Sequence, residues 1–141
     1  MIDLNECLRK GLIRKIAKSE RLAEASIRKA RILLAEGKAD LKEEHFNSAM
    51  IMAYTALLNS SRAIMFKDGY RERSHACVAR YLEAKYKDKI PVGDIELLDY
   101  FRETRHDIQY DVDYLAEKET VERIMEFAGR FLDLAEELIK E

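Results

Sequence analysis

Turn-forming residues are scarce in this chain of 141 residues, which has five Gly and a single Pro. Asn and Gln are also few, whereas Lys, Arg, Asp and Glu make up 37% of the sequence. Apolar residues contribute 48%, which is enough to build the core of one domain. No strand pattern, no repeat of fixed period and no glycine-rich phosphate loop is visible. The composition predicts a helical protein, and its scarcity of amides leans toward a heat-adapted source.

Cysteine is limited to Cys7 and Cys77, which have neither metal-ligand spacing nor a disulfide framework. We expect two buried or half-buried thiols in a reducing cytosol. The most apolar segment, residues 48–65, contains Asn59 and Arg62 and is too polar at one end to span a bilayer. Polar residues interrupt the first apolar positions, so no signal peptide is expected. The sequence therefore predicts a cytoplasmic protein without a membrane partner.

The chain also lacks a large excess of either charge, because its formal net charge is −2. The charge is unevenly distributed, since residues 1–31 carry nine Lys/Arg and four Asp/Glu, whereas residues 111–141 carry four and ten. These two regions either present partner surfaces or neutralise each other across the fold. We favour neutralisation for most of these charges, and the total does not indicate a nucleic-acid-binding protein.

Apolar residues recur at helical spacing along most of the chain. Residues 1–18 have the pattern of a basic arm with a short helix, and residues 19–141 that of a helical bundle. Ser19 is a suitable N-cap, and Gly37 is expected to end the helix that follows. Asp40 has capping-box spacing and is expected to open the longest helix, to about Lys67. Three further helices are expected from Ser74, from about 92 to 108, and from about 120 to 140.

One arginine departs from this pattern. In a helix over residues 97–108, Leu98, Phe101 and Ile108 lie on one apolar stripe, and Arg105 falls inside it. A buried and unpaired arginine costs several kcal/mol. Arg105 therefore either has a compensating partner in a cleft or extends its charged end to solvent from the edge of the core.

Four segments together resemble the HEPN domain family over about residues 19–140. They are the end of the first main helix, the small-residue core of the second, the turn that follows, and a segment that begins with an Arg-His pair. In this sequence they read Lys29-Ala30-x-x-Leu33-Leu34, Ala49-x-x-x-Ala53-Tyr54-x-Ala56, Gly69-Tyr70 to His75, and Arg105-His106-x-x-x-Tyr110.

This resemblance implies an all-α, up-and-down bundle of four to five helices that usually forms a homodimer. Members of the family act most often as metal-independent ribonucleases, many of them as toxins paired with a small nucleotidyltransferase antitoxin. The family's signature is an Arg, a polar residue and then a His four to six positions after the Arg. Arg105 and His106 match its first two positions, whereas Tyr110 occupies the place of the histidine.

The substitution matters because metal-free RNA cleavage needs a group that moves a proton as well as a cation for the phosphate charge. Arginine suits the phosphate, and histidine, with a pKa near 6.5, suits proton transfer. A tyrosine with a pKa near 10 is ionised to about one part in a thousand at neutral pH. Arg105 and Tyr110 also lie about 140° apart on an ideal helix, so they meet only if the helix ends near Ile108.

The candidate catalytic residues are therefore Arg105, Tyr110 and His106, and the candidate binding residues are His75, Arg71, Arg73 and Arg102. No metal and no cofactor is expected, because Asp107, Asp111 and Asp113 fit no ligand template.

The first hypothesis is an RNA- or nucleotide-interacting protein with a degenerate ribonuclease site at a homodimer cleft. The alternatives are a non-catalytic module that pairs with a small nucleotidyltransferase, and an active ribonuclease that uses His106 or His75.

Overall fold

The computed structural model describes residues 2–141 and contains a bundle of long helices with one small two-stranded ribbon. The all-α bundle predicted from the sequence is confirmed. In chain order the elements are α1 (Leu4–Arg9), β1 (Ile13–Lys15), α2 (Glu20–Lys42), α3 (Phe46–Asp68), β2 (Tyr70–Glu72), α4 (His75–Lys85), α5 (Val92–Tyr110) and α6 (Lys118–Ile139).

Helices α2, α3 and α6 form the centre of the bundle, and α4 and α5 pack beside α3. Helix α3 is buried on most faces, as its nearly continuous apolar sequence predicts. Helix α6 buries one stripe that includes Phe127 and Phe131, each of which contributes about 1.5–3 kcal/mol when fully buried. Ser19 caps α2 as predicted, because its hydroxyl accepts a hydrogen bond from the Leu22 amide at 3.0 Å.

The predicted boundary between the first two long helices is wrong. Gly37 lies inside α2 and is buried, and a Cβ at that position would lie 3.1 Å from Cβ of Met52. The glycine therefore allows α2 and α3 to approach closely instead of ending α2. Asp40 is also inside α2, where its carboxylate accepts a hydrogen bond from the Ser48 hydroxyl at 2.6 Å. The turn instead lies at residues 43–45, with Glu44 at a positive φ of 61°.

The N-terminal arm is held more firmly than the sequence suggests. Strand β1 pairs antiparallel with β2, although no strand pattern is visible in the sequence. A disulfide joins Cys7 of α1 to Cys77 of α4, with 5.9 Å between the two Cα atoms. The prediction of two free thiols is therefore wrong, because packing brings together two cysteines 70 residues apart. The predicted division of the chain after residue 18 stays a prediction.

The chain reverses at the end of α3, and this reversal places α4. Gly69 has a φ of 91°, and a Cβ there would lie 2.9 Å from the carbonyl oxygen of Ile16. Its own carbonyl accepts a hydrogen bond from the Ile16 amide at 2.9 Å. Beyond β2, the amide of Arg73 donates to the carbonyl of Leu12 at 2.8 Å. These bonds fix both ends of β2 and lead directly into the first residue of α4, His75.

Helix α5 extends to Tyr110, so the predicted end near Ile108 is wrong. No Gly or Pro interrupts residues 105–110, and the Asp111 amide still donates to the Asp107 carbonyl at 2.8 Å. Asp111 then leaves the helical conformation as the C-cap. Arg105 and Tyr110 therefore lie on one continuous helix, about 140° apart around its axis.

Candidate functional site

Three helices bring polar side chains together on one side of the bundle. His75 is the first residue of α4, Arg105 lies in the last third of α5, and Tyr54 lies in the middle of α3. Each comes from a different segment, so no local sequence pattern shows that they meet. The parallel course of α4 beside α3 and the return of α5 produce the contact.

Arg105 makes contacts with three side chains. One of its terminal nitrogens lies 3.1 Å from Nδ1 of His75, and its guanidinium carbon lies 4.9 Å from the centre of the Tyr54 ring. Its other terminal nitrogen contacts Oε1 of Gln109. A guanidinium over an aromatic face gains about 0.5–1 kcal/mol at a partly exposed position. The unusual place of Arg105 in an apolar stripe is therefore explained by an aromatic and a histidine partner, without a carboxylate.

The contact with Arg105 determines how the His75 ring is protonated. An arginine side chain has no acceptor, so it donates and Nδ1 of His75 accepts. Burial lowers the pKa of His75, and the nearby charges of Arg105 and Arg62 lower it further, while Glu72 opposes them. The ring is thus neutral at neutral pH, and its proton is on Nε2.

Tyr54 supplies the buried wall of the site, with an exposed fraction of 5%. Burial raises the pKa of Tyr54, although the charges of Arg105 and Arg102 act in the opposite direction. Its hydroxyl therefore stays protonated in the physiological range. Sequence patterns assign no functional role to Tyr54, since it stands in a helix that is apolar on nearly every face.

Arg102 lies one turn before Arg105 on α5 and is half-buried. It pairs with Asp99 at 3.5 Å, but Asp99 is bound more closely by Arg80, at 2.6 Å. Within residues 2–141, the Nε atoms of Arg102 and Arg105 are both buried and have no hydrogen-bond partner. Buried donors are normally paired, so the two adjacent arginines are under-satisfied.

Arg62 is near the same residues, but it is already neutralised. Two of its nitrogens donate to the two oxygens of Glu72, at 2.9 and 2.8 Å, in a bidentate pair. Glu72 is buried, with 8% of its surface exposed. This pair holds β2 against α3 and leaves Arg102 and Arg105 as the arginines of the site without a bidentate carboxylate.

The space beside these residues is small. A cavity lined by Tyr54, His75, Asp99 and Arg102 has a volume of only about 10 Å³, the least that holds one water molecule. A nucleobase does not fit there. The site therefore offers charged and polar groups to a ligand at its surface, and not an enclosed pocket.

The other candidate residues lie elsewhere. The rings of His106 and Tyr110 pack against each other with 4.7 Å between their centres, and both side chains are exposed. Arg71 and Arg73 are exposed on β2 and just after it. The structure therefore brings together Arg105, His75 and Arg102, and it separates the predicted pair of Arg105 and Tyr110 within one chain. The catalytic roles assigned to Tyr110 and His106 stay predictions.

A comparison with protein families identifies the fold that carries this site. A family model for the HEPN domain matches residues 23–138. The chain belongs to the HEPN domain family. No curated protein matches the sequence. In the described part of this HEPN protein, no helix is long and apolar enough to cross a membrane, and no group of three His, Cys, Asp or Glu side chains is arranged to hold a metal ion.

Proposed function

We propose that this HEPN protein binds RNA or a nucleotide through a phosphate group at Arg102 and Arg105, and that any ribonuclease activity is weak. The family supports a role with RNA or nucleotides. The observation that carries the proposal is the pair of buried, unpartnered Nε atoms on these two arginines. A guanidinium fork matches phosphate oxygens in a bidentate manner, so a phosphate at the surface would satisfy both donors once the two half-buried side chains turn toward it.

His75 adds a third donor to this site. Its proton is on Nε2, because Nδ1 accepts from Arg105. A neutral N–H donates to a phosphate oxygen but does not take the proton of a 2′-hydroxyl group. Loss of general acid–base catalysis lowers a rate by about 10² to 10⁴. The arrangement therefore suits binding better than cleavage.

The active-ribonuclease alternative rests on the same contact. If a bound phosphate draws Arg105 away from His75, Nδ1 becomes free, and its lowered pKa keeps it unprotonated and able to act as a base. His75 would then take the 2′-hydroxyl proton while the 2′-oxygen attacks phosphorus. The bond from phosphorus to the 5′-oxygen breaks, water protonates the leaving oxygen, and a 2′,3′-cyclic phosphate is formed. His106 remains the other candidate base, and it lies with Tyr110 on the exposed side of α5.

A homodimer would complete this site, as expected from the family. Large apolar side chains are exposed at the end of α5 and in the segment that follows, with Tyr110 at 69%, Val112 at 94% and Leu115 at 71%. Such a cluster is typical of an interaction surface. We propose that a second copy covers it, which would place the partner's Tyr110 near the first chain's arginines. The non-catalytic alternative, in which a small nucleotidyltransferase covers the same patch, predicts no RNA affinity.

Incubation of the purified protein with single-stranded RNA in EDTA tests these functions. Fluorescence anisotropy measures binding, and gel analysis of the same samples measures cleavage. We expect saturable binding that weakens roughly tenfold in Arg105→Gln and little cleavage. Lys38→Gln, on the exposed side of α2, is the control for a lost charge. Absence of RNA binding at low salt would contradict the proposal, and cleavage lost in His75→Gln would establish the ribonuclease alternative.

The molar mass in solution tests the dimer. We expect light scattering to show a dimer for the wild type and a monomer for Val112→Glu with Leu115→Glu, because two charges do not fit an apolar interface. A wild-type monomer at high protein concentration would contradict the dimer.

A further inference from the structure

The ribbon of β1 and β2 has a face on which two arginines lie directly opposite each other. Arg14 pairs in register with Arg71, and both side chains are exposed. Like charges directly opposite on two strands are destabilising. Within residues 2–141, neither arginine has an ion-pair partner. The fold thus keeps two repelling cations at a place where a polyanion would relieve the repulsion.

One end of this ribbon leads into the site of Arg105. The exposed Arg73 follows β2, and His75 is two residues further on. His75 contacts Arg105 directly. The cations of the ribbon therefore lie within a few residues of the proposed phosphate site.

The other end of the ribbon opens on a basic and aromatic depression of about 650 Å³. Lys18, Lys85 and Lys87 are exposed at its edge, and Tyr70 and Tyr86 form part of its wall. None of the three lysines has an ion-pair partner in the described chain. Lysines come here from the arm and from the end of α4, so the cluster is a product of the fold and not of one basic run.

The aromatic wall of this depression is rigid. The hydroxyls of Tyr81 and Tyr86 both donate to Oδ2 of Asp68, each at 2.7 Å. Tyr70 packs on Tyr81 with 5.2 Å between ring centres. Rings that are already fixed lose little freedom when a base stacks on them. The depression thus combines cations for phosphate with ring surfaces for bases.

The distance between the two ends suits an extended polymer. His75 and Lys85 are ten residues apart on α4, about 15 Å, and Tyr70 and His75 are about 16 Å apart along the extended chain. We infer that the ribbon is a track for single-stranded RNA, which runs from the Arg105 site over Arg14 and Arg71 to the depression at Lys85 and Tyr86. The inference rests on the proposed function for its starting point, and it adds a second contact region and an extended ligand.

RNA of two lengths tests the track. Oligonucleotides of about 2 and about 12 nucleotides are compared, since single-strand sites cover roughly 4 to 16 nucleotides; the dinucleotide, with one internucleotide phosphate, reaches only one end of the track. We expect Arg14→Gln with Arg71→Gln to weaken binding of the longer RNA roughly tenfold and to leave the shorter one nearly unchanged. The slope of log K against log salt concentration should become less steep by about 1.4, because two phosphate contacts on a single strand are lost. The control, Lys29→Gln with Lys38→Gln on α2, removes the same charge.

The results distinguish three cases: unfolding of the variant, absence of the track, and absence of the site at Arg105. Removal of two repelling arginines should not lower Tm, so reduced binding would not reflect unfolding. Equal losses in the ribbon and control variants would overturn the track, as would equal affinity of the wild type for both lengths. If the longer RNA responds to Arg14 and Arg71 but neither length responds to Arg105→Gln, the track stands and the proposed site at Arg105 is wrong. A second variant, Lys85→Gln with Lys87→Gln, should likewise affect only the longer RNA.

Discussion

Among residues 2–141, two arginines lie over aromatic rings, and their remaining partners differ. Arg130 lies 5.1 Å from the centre of the Phe127 ring, and Arg105 lies 4.9 Å from that of Tyr54. Arg130 also contacts both carboxylate oxygens of Asp94, each at 3.0 Å. Arg105 instead meets a neutral imidazole. The charge of Arg130 is therefore neutralised by a carboxylate. The charge of Arg105 is not neutralised in this way and is left for a ligand.

The largest effect on stability is expected at the pair of Arg130 and Asp94. Arg130→Gln leaves Asp94, which is 5% exposed, without its cation. Loss of one partner of a buried pair costs about 3–5 kcal/mol, and we expect about 1–3 kcal/mol here because Arg130 is half exposed. Urea unfolding measures the change, with Arg123→Gln on the same helix as control. Equal stability of the two variants would show that the pair has no structural role, and RNA affinity should not change.

A carboxylate placed beside Arg105 would give it the kind of partner that Arg130 has in Asp94. In His75→Glu a carboxylate would replace the imidazole beside Arg105, and it would lie at the start of α4, where a helix favours negative charge. We expect a stable protein whose RNA affinity falls at least tenfold, because the charge of Arg105 is neutralised and phosphate is repelled.

The matched control for this change is His45→Glu, which places the same side chain at the start of α3. Anisotropy titrations of both variants provide the measurement. Wild-type affinity in His75→Glu would mean that phosphate does not bind at Arg105.

A smaller effect is expected for the stability of Arg105→Gln. The loss is limited to a cation–π contact and to hydrogen bonds with the neutral side chains of His75 and Gln109, about 0.5–1 kcal/mol in total at a partly exposed residue. Urea unfolding under the conditions used for Arg130→Gln measures it. A loss as large as that of Arg130→Gln would mean that Arg105 is primarily structural.

The smallest effect is a dependence of stability on pH. Burial and Arg105 lower the pKa of folded His75, whereas unfolded histidine titrates near 6.5. The unfolded chain therefore binds more protons between these two values, and stability falls as pH decreases through that window. Above the ordinary pKa of histidine, the contribution of His75 is fully present. The difference in stability between the wild type and His75→Gln should become smaller on acidification, and a difference independent of pH would contradict the neutral His75.

The sequence predicted the parts of this fold that depend on strong local patterns. The apolar periodicity of α6 and the cap at Ser19 are local, and both were confirmed. Gly37 was misread because close packing against Met52 overrides its low helix propensity. The ribbon was missed because each strand has only three residues. The disulfide was missed because residues 7 and 77 are adjacent only after folding.

The sequence predicts only part of the candidate site. Arg105 is noticeable because a cation stands in an apolar stripe, which predicts either a compensating partner or an exposed charged end. Its partners were not visible, since Tyr54 and His75 lie 51 and 30 residues away along the chain. Asp99, which binds Arg80 and Arg102, has an ordinary helical spacing to Arg102 that carries no functional signal on its own.

The ribbon limits how far the chain can be shortened at its N-terminal end. The family match begins at residue 23, so a shortened chain that starts there would appear to be a whole domain. It would lack β1 and Cys7, leaving β2 as an open strand edge and Cys77 as a free thiol. Open edges pair with other chains and lead to aggregation. Residues 2–18 thus protect the edge of β2 from pairing with other chains.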